Sequence, residues 1–138
     1  GNSEMDVEII NTPKLAQPYA PYAPGIRVRK AGSEIYISGV VPNDLAGDIV
    51  CKGDIAGQMK QLRENVKVTL EAAGVSCKDV VKINTYIIGT YMREYVTGGH
   101  DIEYLKMFNT PAVTIIGVSA LANEGQLVES ELMAVTSK

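Results

Sequence analysis

Two carboxylates stand two residues apart in an otherwise apolar run, LVESELMAV, residues 127–135. In a strand that spacing puts Glu129 and Glu131 on one face, because successive side chains alternate. Two readings are open. A solvent-facing strand carries both groups at no cost, whereas a partly dry cleft raises a carboxyl pKa toward neutrality and fits the group to pass protons. Other acid–base groups are few. His100 is the single histidine, which excludes an H-E-x-x-H zinc helix, and no cluster of Cys, His and carboxylates replaces it. Cys51 and Cys77 lie far apart and outside any CxxC pair, so reduced, packing cysteines are expected. The sequence has no G-x-S-x-G elbow, no G-x-G-x-x-G and no G-x-x-x-x-G-K-[ST], and so gives no sign of a serine hydrolase, a dinucleotide or an NTP.

The elements that must position these groups are legible in outline. Residues 34–41, EIYISGVV, read at a two-residue period as a strand buried on both faces, ended by the turn chemistry of Pro42-Asn43-Asp44. Before it, 26–30 alternates apolar and basic residues, and Ala31-Gly32-Ser33 is short enough to join the two as a hairpin. From 54 to 73 the apolar residues Ile55, Met59, Leu62, Val66, Leu70 and Ala73 recur at steps of three and four. Asp54 is a natural N-cap and Gly74 a natural C-cap. Residues 80–88 read as a strand. A helix is expected within 91–108, weakened in its middle by Gly98-Gly99. Two further strands, 112–118 and 127–135, are joined by a loop around 122–125. The order ββ, α, β, α, ββ predicts an α+β domain with helices on one face of a single sheet.

Composition bounds the function. With 138 residues, 46% of them hydrophobic, one domain with a real core is expected. A net charge of −3 with scattered basic residues gives no footprint for nucleic acid. No apolar run approaches the roughly 20 residues that span a bilayer, and the N-terminus does not read as a signal peptide, so a cytoplasmic protein without a membrane partner is expected. Residues 1–16 are set apart as an N-terminal segment, partly disordered or tag-derived, with GNSE as a cloning remnant; 17–138 is read as the domain. The stretch QPYAPYAPG, residues 17–25, admits three readings: a tether, a polyproline ligand, or one wall of a binding site.

PYAPGI (21–26), EIYISGVVPND (34–44), QLRENVKVTLEAAGVSCKDVVK (61–82), TPAVTIIGV (110–118) and LVESELMAV together resemble the YjgF or Rid family of reactive intermediate deaminases. The resemblance runs from about Pro21 to Val135. It implies a chorismate-mutase-like fold, a homotrimer, and clefts between subunits where imines and enamines are hydrolysed without metal or cofactor. Carried over by position, Glu129 and Tyr22 match the family's catalytic glutamate and PYS-type tyrosine. Ser38 and Gly39 match its V-S-G strand, and Thr114 sits where backbone groups fix the substrate. Tyr22, with Pro21 and Pro24, is then a wall of the site.

Val113 is a departure, standing where the best-known branch has the arginine that clamps a substrate carboxylate. A bidentate ion pair is lost there, which favours a neutral or aromatic substrate over 2-imino acids. Pro24 and Ile115 also differ from common family residues. His100 is either a second acid–base group lining the cleft or a surface histidine. Arg27, Arg29 and Arg93 read as solvated charges, and Tyr86, Tyr91, Tyr95 and Tyr104 as core or subunit contacts. The competing function is a non-catalytic trimer that binds a small ligand or shields other proteins; a ribonuclease is disfavoured by the acidic balance.

Overall fold

The computed structural model describes residues 4–138. Of the GNSE stretch read as a cloning remnant, all but Glu4 lies outside the described residues. Among the described residues six strands and three α-helices follow one another: β1 (Asp6–Ile10), β2 (Gly25–Arg29), β3 (Ser33–Val40), α1 (Ile55–Ala72), β4 (Val80–Ile88), α2 (Met92–Thr97), α3 (His100–Leu105), β5 (Ala112–Val118) and β6 (Val128–Thr136). Strands β3-β6-β4-β5 form a four-stranded sheet, with β4 and β5 parallel and the other pairs antiparallel. Among the described residues no helix is long and apolar enough to cross a membrane.

Helix α1 forms because its apolar residues share one stripe. Ile55, Met59, Leu62, Val66 and Leu70 are each at most 1% exposed, and burying such a side chain is worth roughly 1.5–3 kcal/mol. Asp54 Oδ1 accepts the Gly57 amide at 3.1 Å and closes the N-terminus. At the other end Gly74 takes φ +73°, and Val75 N donates to Leu70 O at 3.0 Å. That left-handed turn costs a residue without Cβ nothing. The weakened helix in 91–108 is two short helices, α2 and α3, divided at Gly99 with φ +76°. Both deliver buried tyrosines, Tyr95 and Tyr104, into the same core as α1.

Helices pack on one face of the four-stranded sheet, the α+β arrangement expected. Ile83 and Ile87 of β4 and Val128, Leu132 and Ala134 of β6 join α1 and α3 in one cluster. Ser130 is on the same side, its Oγ 2.8 Å from Tyr104 Oη and 3.3 Å from Thr85 Oγ1. The alternate residues of β4 and β6 form the opposite, uncovered face.

The first two strands differ from expectation. β2 pairs with β1 in a separate ribbon, Asp6 opposite Arg29 through Ile10 opposite Gly25, and makes no hairpin with β3. Residues 6–10, set apart with the 1–16 segment, are therefore strand β1. The cause lies outside local spacing: Ala23 N donates to Pro111 O at 2.9 Å and Ala23 bridges Ala112, which ties the start of β2 to the β5 edge. β3 is consequently an edge strand rather than one buried on both faces. Ile35 and Ile37 are half-buried against the core, while Tyr36 is 71% exposed.

Candidate functional site

The uncovered face of the sheet gathers a cluster of polar side chains from β4, β5 and β6. Paired residues of neighbouring strands share a face. The pairs Tyr86 with Glu129, Asn84 with Glu131 and Asn84 with Thr114 therefore lie together on the side away from the helices. The register of β3 on β6 slips here: Ile37 lies opposite Leu132 but Val40 opposite Ser130, so Ser38 and Gly39 together face Glu131. A bulge of this kind bends the strand and re-aims its side chains.

Gly39 is glycine for a steric reason. A Cβ built on it would stand 2.5 Å from both Cδ and Oε2 of Glu129. The carboxylate therefore lies directly on the bulge, in space that any side chain at position 39 would take. Its other oxygen, Oε1, accepts from Gln126 Nε2 at 3.2 Å. Gln126 is buried, and its own Oε1 accepts from Asn123 Nδ2 at 2.9 Å. One shell further in, the fully buried Gln58 of α1 donates to Gly125 O at 2.8 Å and accepts from Leu127 N at 2.8 Å. The helix thus fixes the loop, the loop fixes Gln126, and Gln126 orients Glu129.

Glu131 is held differently. Tyr86 Oη donates to its Oε1 at 2.5 Å and Asn84 Nδ2 at 3.1 Å. The Tyr86 hydrogen bond first, and Asn84 second, hold its carboxyl below the ordinary glutamate range, because both donors favour the anion. The same contact raises the Tyr86 phenol. Beside this pair a depression of about 380 Å³ is lined by Tyr36, Ser38, Lys82, Asn84, Glu131 and Met133. Lys82 Nζ donates to Thr114 Oγ1 at 3.2 Å at its rim.

Other candidates lie elsewhere within the chain. Val113 pairs with Ile83 and packs with the helix-side core, facing away from Glu129. His100 opens α3 in the helical layer, its ring stacked on Tyr95 at 6.4 Å between centroids. Tyr22 packs against the core edge-on to Tyr19, at 5.8 Å, and Tyr19 Oη is latched to the buried Asp101 at 3.0 Å. Tyr22 is thus near the β5 edge, whereas Ser38 and Gly39 are on β3 at the opposite edge. Arg27 and Arg29 pair with Glu8 and Asp6 on the exposed ribbon.

Lys82, Asn84 and Gln126 were not singled out by sequence reasoning. Lys82 and Asn84 could have been found by carrying the two-residue alternation of 80–88 through to its polar half. Gln126 offered no such signal, since its role depends on a loop closing over α1. Among the described residues no three His, Cys, Asp or Glu side chains gather in a metal-binding group.

Comparison with known proteins agrees with this architecture. The family model described as Endoribonuclease L-PSP matches residues 12–136. A RutC family protein of Saccharolobus solfataricus is 39% identical over 134 residues, 94% of this chain and 98% of the relative. A RutC family protein of Pyrococcus horikoshii is 41% identical over 80 residues, which is 58% of this chain and only 61% of that relative's length. The 3-aminoacrylate deaminase RutC of Acinetobacter baylyi is 41% identical over 76 residues, 55% of this chain and 58% of the relative. Among solved structures, the Rid-family protein YyfB of Yersinia pestis superposes with a TM-score of 0.80 at 26% identity, covering 94% of this chain and 98% of that one. The chain belongs to the YjgF/Rid family, which carries the Endoribonuclease L-PSP description, and has its chorismate-mutase-like α+β fold.

Proposed function

We propose that this protein hydrolyses the C–N bond of a small imine or enamine, without metal or cofactor. Its site is built on Glu129, Ser38 and Gly39 and is completed by Tyr22 of a second copy in a homotrimer. The observation that carries this reading is the seating of the Glu129 carboxylate. One oxygen is held by a buried amide, and the other is laid on a glycine bulge where only hydrogen atoms intervene. A carboxylate so fixed can take a proton from one water and return it without first reorganising. Among the relatives, one is by name a deaminase of 3-aminoacrylate, which is an enamine, and another a deaminase of 2-iminobutanoate and 2-iminopropanoate, which are imines.

The residues suffice for the steps. For an imine, Glu129 takes a proton from water as the oxygen bonds to the C=N carbon, the π electrons move to nitrogen, and Glu129 passes that proton to nitrogen to give a carbinolamine. The carboxylate then takes the carbinolamine hydroxyl proton as the carbonyl forms and delivers it to the nitrogen as the C–N bond breaks, so that ammonia leaves and Glu129 is regenerated. For an enamine, the acid form of Glu129 first protonates carbon. Backbone groups at Ser38 and Gly39, on the strand beside Glu129, or alternatively at Thr114, hold the nitrogen. The family position of the clamping arginine holds Val113, which packs toward the helix-side core, so no arginine from that position meets a substrate carboxylate and the preferred substrate is neutral or aromatic rather than a 2-imino acid. That same absence supports the second reading, a trimer that binds a small ligand without turnover.

Ammonia release from imines and enamines generated in situ, both carboxylated and neutral, separates the two. Turnover of neutral substrates by the wild type and its loss in Glu129→Gln is the expected result. Binding that survives Glu129→Gln, with no turnover across the panel, would replace the deaminase with the ligand-binding reading.

A further inference from the structure

Among the open strand edges of the described residues, those of β2 and β3 fit each other. Among the described residues β3 is paired only with β6 and β2 only with β1. An unpaired edge presents a row of backbone donors and acceptors to any strand of matching pattern. The open side of β3 is one wall of a groove of about 780 Å³ whose other wall is α1; Ile35, Ile37, Leu45, Val68 and Ala72 line it. Leu45 and Val68 are both exposed there.

The residues of β2 match this groove in one register. With Lys30 opposite Ser33, Arg29 falls opposite Glu34, Val28 opposite Ile35, Arg27 opposite Tyr36 and Ile26 opposite Ile37. Ile35 and Ile37 pair with Ala134 and Leu132 on the helix side of the sheet, so Val28 and Ile26 would cover the groove. The two arginines would fall on the other face, by a carboxylate and an aromatic ring, both favourable cross-strand neighbours.

The chain's own β2 cannot take this place as it stands. Ala23 is fixed to Pro111 and Ala112 beyond β5. The far side of β3 is five strand spacings from there, roughly 24 Å at about 4.8 Å each. Two residues, from Ala23 to Gly25, reach at most about 7 Å.

We propose that the occupant is β2 of a second copy of this chain. The β1–β2 ribbon is an exchanged arm, hinged at residues 30–32, where Lys30 takes φ +56°, and laid antiparallel along β3 of the neighbouring copy. Exchange of an identical element is a low-cost route to association, because it reuses contacts the sequence already encodes. It also mends the separation within one chain. The same register carries Tyr22 of the partner subunit opposite Val41, one strand from Glu129 across the bulge that aligns Val40 with Ser130.

The test uses the full chain with Cys51→Ser and Cys77→Ser, carrying Arg29→Cys and Glu34→Cys, both at exposed positions. Oxidation followed by denaturing, non-reducing electrophoresis should give a ladder of covalent dimers and higher species that collapses on reduction. The off-register pair Arg27→Cys with Glu34→Cys should give none. A mixture of chains carrying Arg29→Cys alone with chains carrying Glu34→Cys alone should cross-link to the heterodimer. Only monomers after oxidation, bridged internally or not, would overturn the exchange. So would a monomeric mass for the wild type by light scattering, a reading that does not depend on any substitution.

Discussion

The two faces of the four-stranded sheet are made from the same strands yet are settled in opposite ways. On the helix side Ser130, Thr85 and Tyr104 satisfy one another inside a closed apolar cluster. On the other side Glu129, Glu131, Asn84, Tyr86, Lys82 and Thr114 stand in a polar array with a depression beside it. Polar groups on the first face are costs of burial that have been met, and those on the second are available for work. Even within the open face the division recurs two residues apart. Glu131 is locked by two donors, whereas Glu129 has one oxygen held and one presented over glycine.

If that division is right, substitutions on the open face change turnover and leave stability, and those on the helix face do the reverse. Glu129→Gln keeps the Gln126 contact possible but removes the base; ammonia release should fall by about 10²–10⁴-fold with an unchanged melting temperature. Leu62→Ala, at a fully buried position, should cost roughly 2–5 kcal/mol. In calorimetry that lowers Tm by several degrees per kcal/mol for a domain this size, and kcat of the remaining folded protein stays near wild type. Gly39→Ala sits between the two classes. Its Cβ must displace the Glu129 carboxylate, and since a misplacement of about 1 Å costs up to about 10²-fold, a fall in kcat without a fall in Tm is expected. Full activity in the Gly39→Ala variant would mean the carboxylate does not act from where it lies. Tyr104→Phe removes a buried hydroxyl while Ser130 keeps Thr85; a loss of about 1 kcal/mol is expected in urea unfolding.

The smallest effect belongs to Tyr86→Phe. Removing the stronger donor should return the Glu131 pKa upward toward 4.5, followed by carboxyl NMR titration. Because the folded pKa lies below the unfolded one, the pair's stabilisation is present above the unfolded pKa and is lost as pH falls through the folded pKa. Wild type and variant should therefore differ at neutral pH and converge in acid. Convergence at neutral pH with divergence in acid would reverse the assignment.

Much of this was legible in the residues, and what was not has a common cause. Helix α1 with its Asp54 and Gly74 caps, the break at Gly98-Gly99, and the shared face of Glu129 and Glu131 all follow from neighbours within a few positions. The position of β2 does not, since alternation and a short loop favour a hairpin with β3 while a contact distant in sequence, between Ala23 and Pro111, prevents it. The burial of β3 was misjudged for the same reason: an apolar run does not say whether a partner lies on each side. At the candidate site, Glu129 and Gly39 were named as separate family positions. That the one needs the other to lack a Cβ is a fact of packing.

The order of strands across the sheet also bears on how the protein comes into being. β6 lies between β3 and β4, yet it follows both in sequence as the last strand of the described residues, and its pairing with β3 joins Ser33 to Thr136. While the chain emerges from the ribosome, β3 and β4 therefore wait with open edges for the strand that will separate them. Contacts of such long range slow folding, and exposed edges in a partly made chain invite pairing with others. The strand that carries Glu129 is thus the one whose arrival closes the four-stranded sheet.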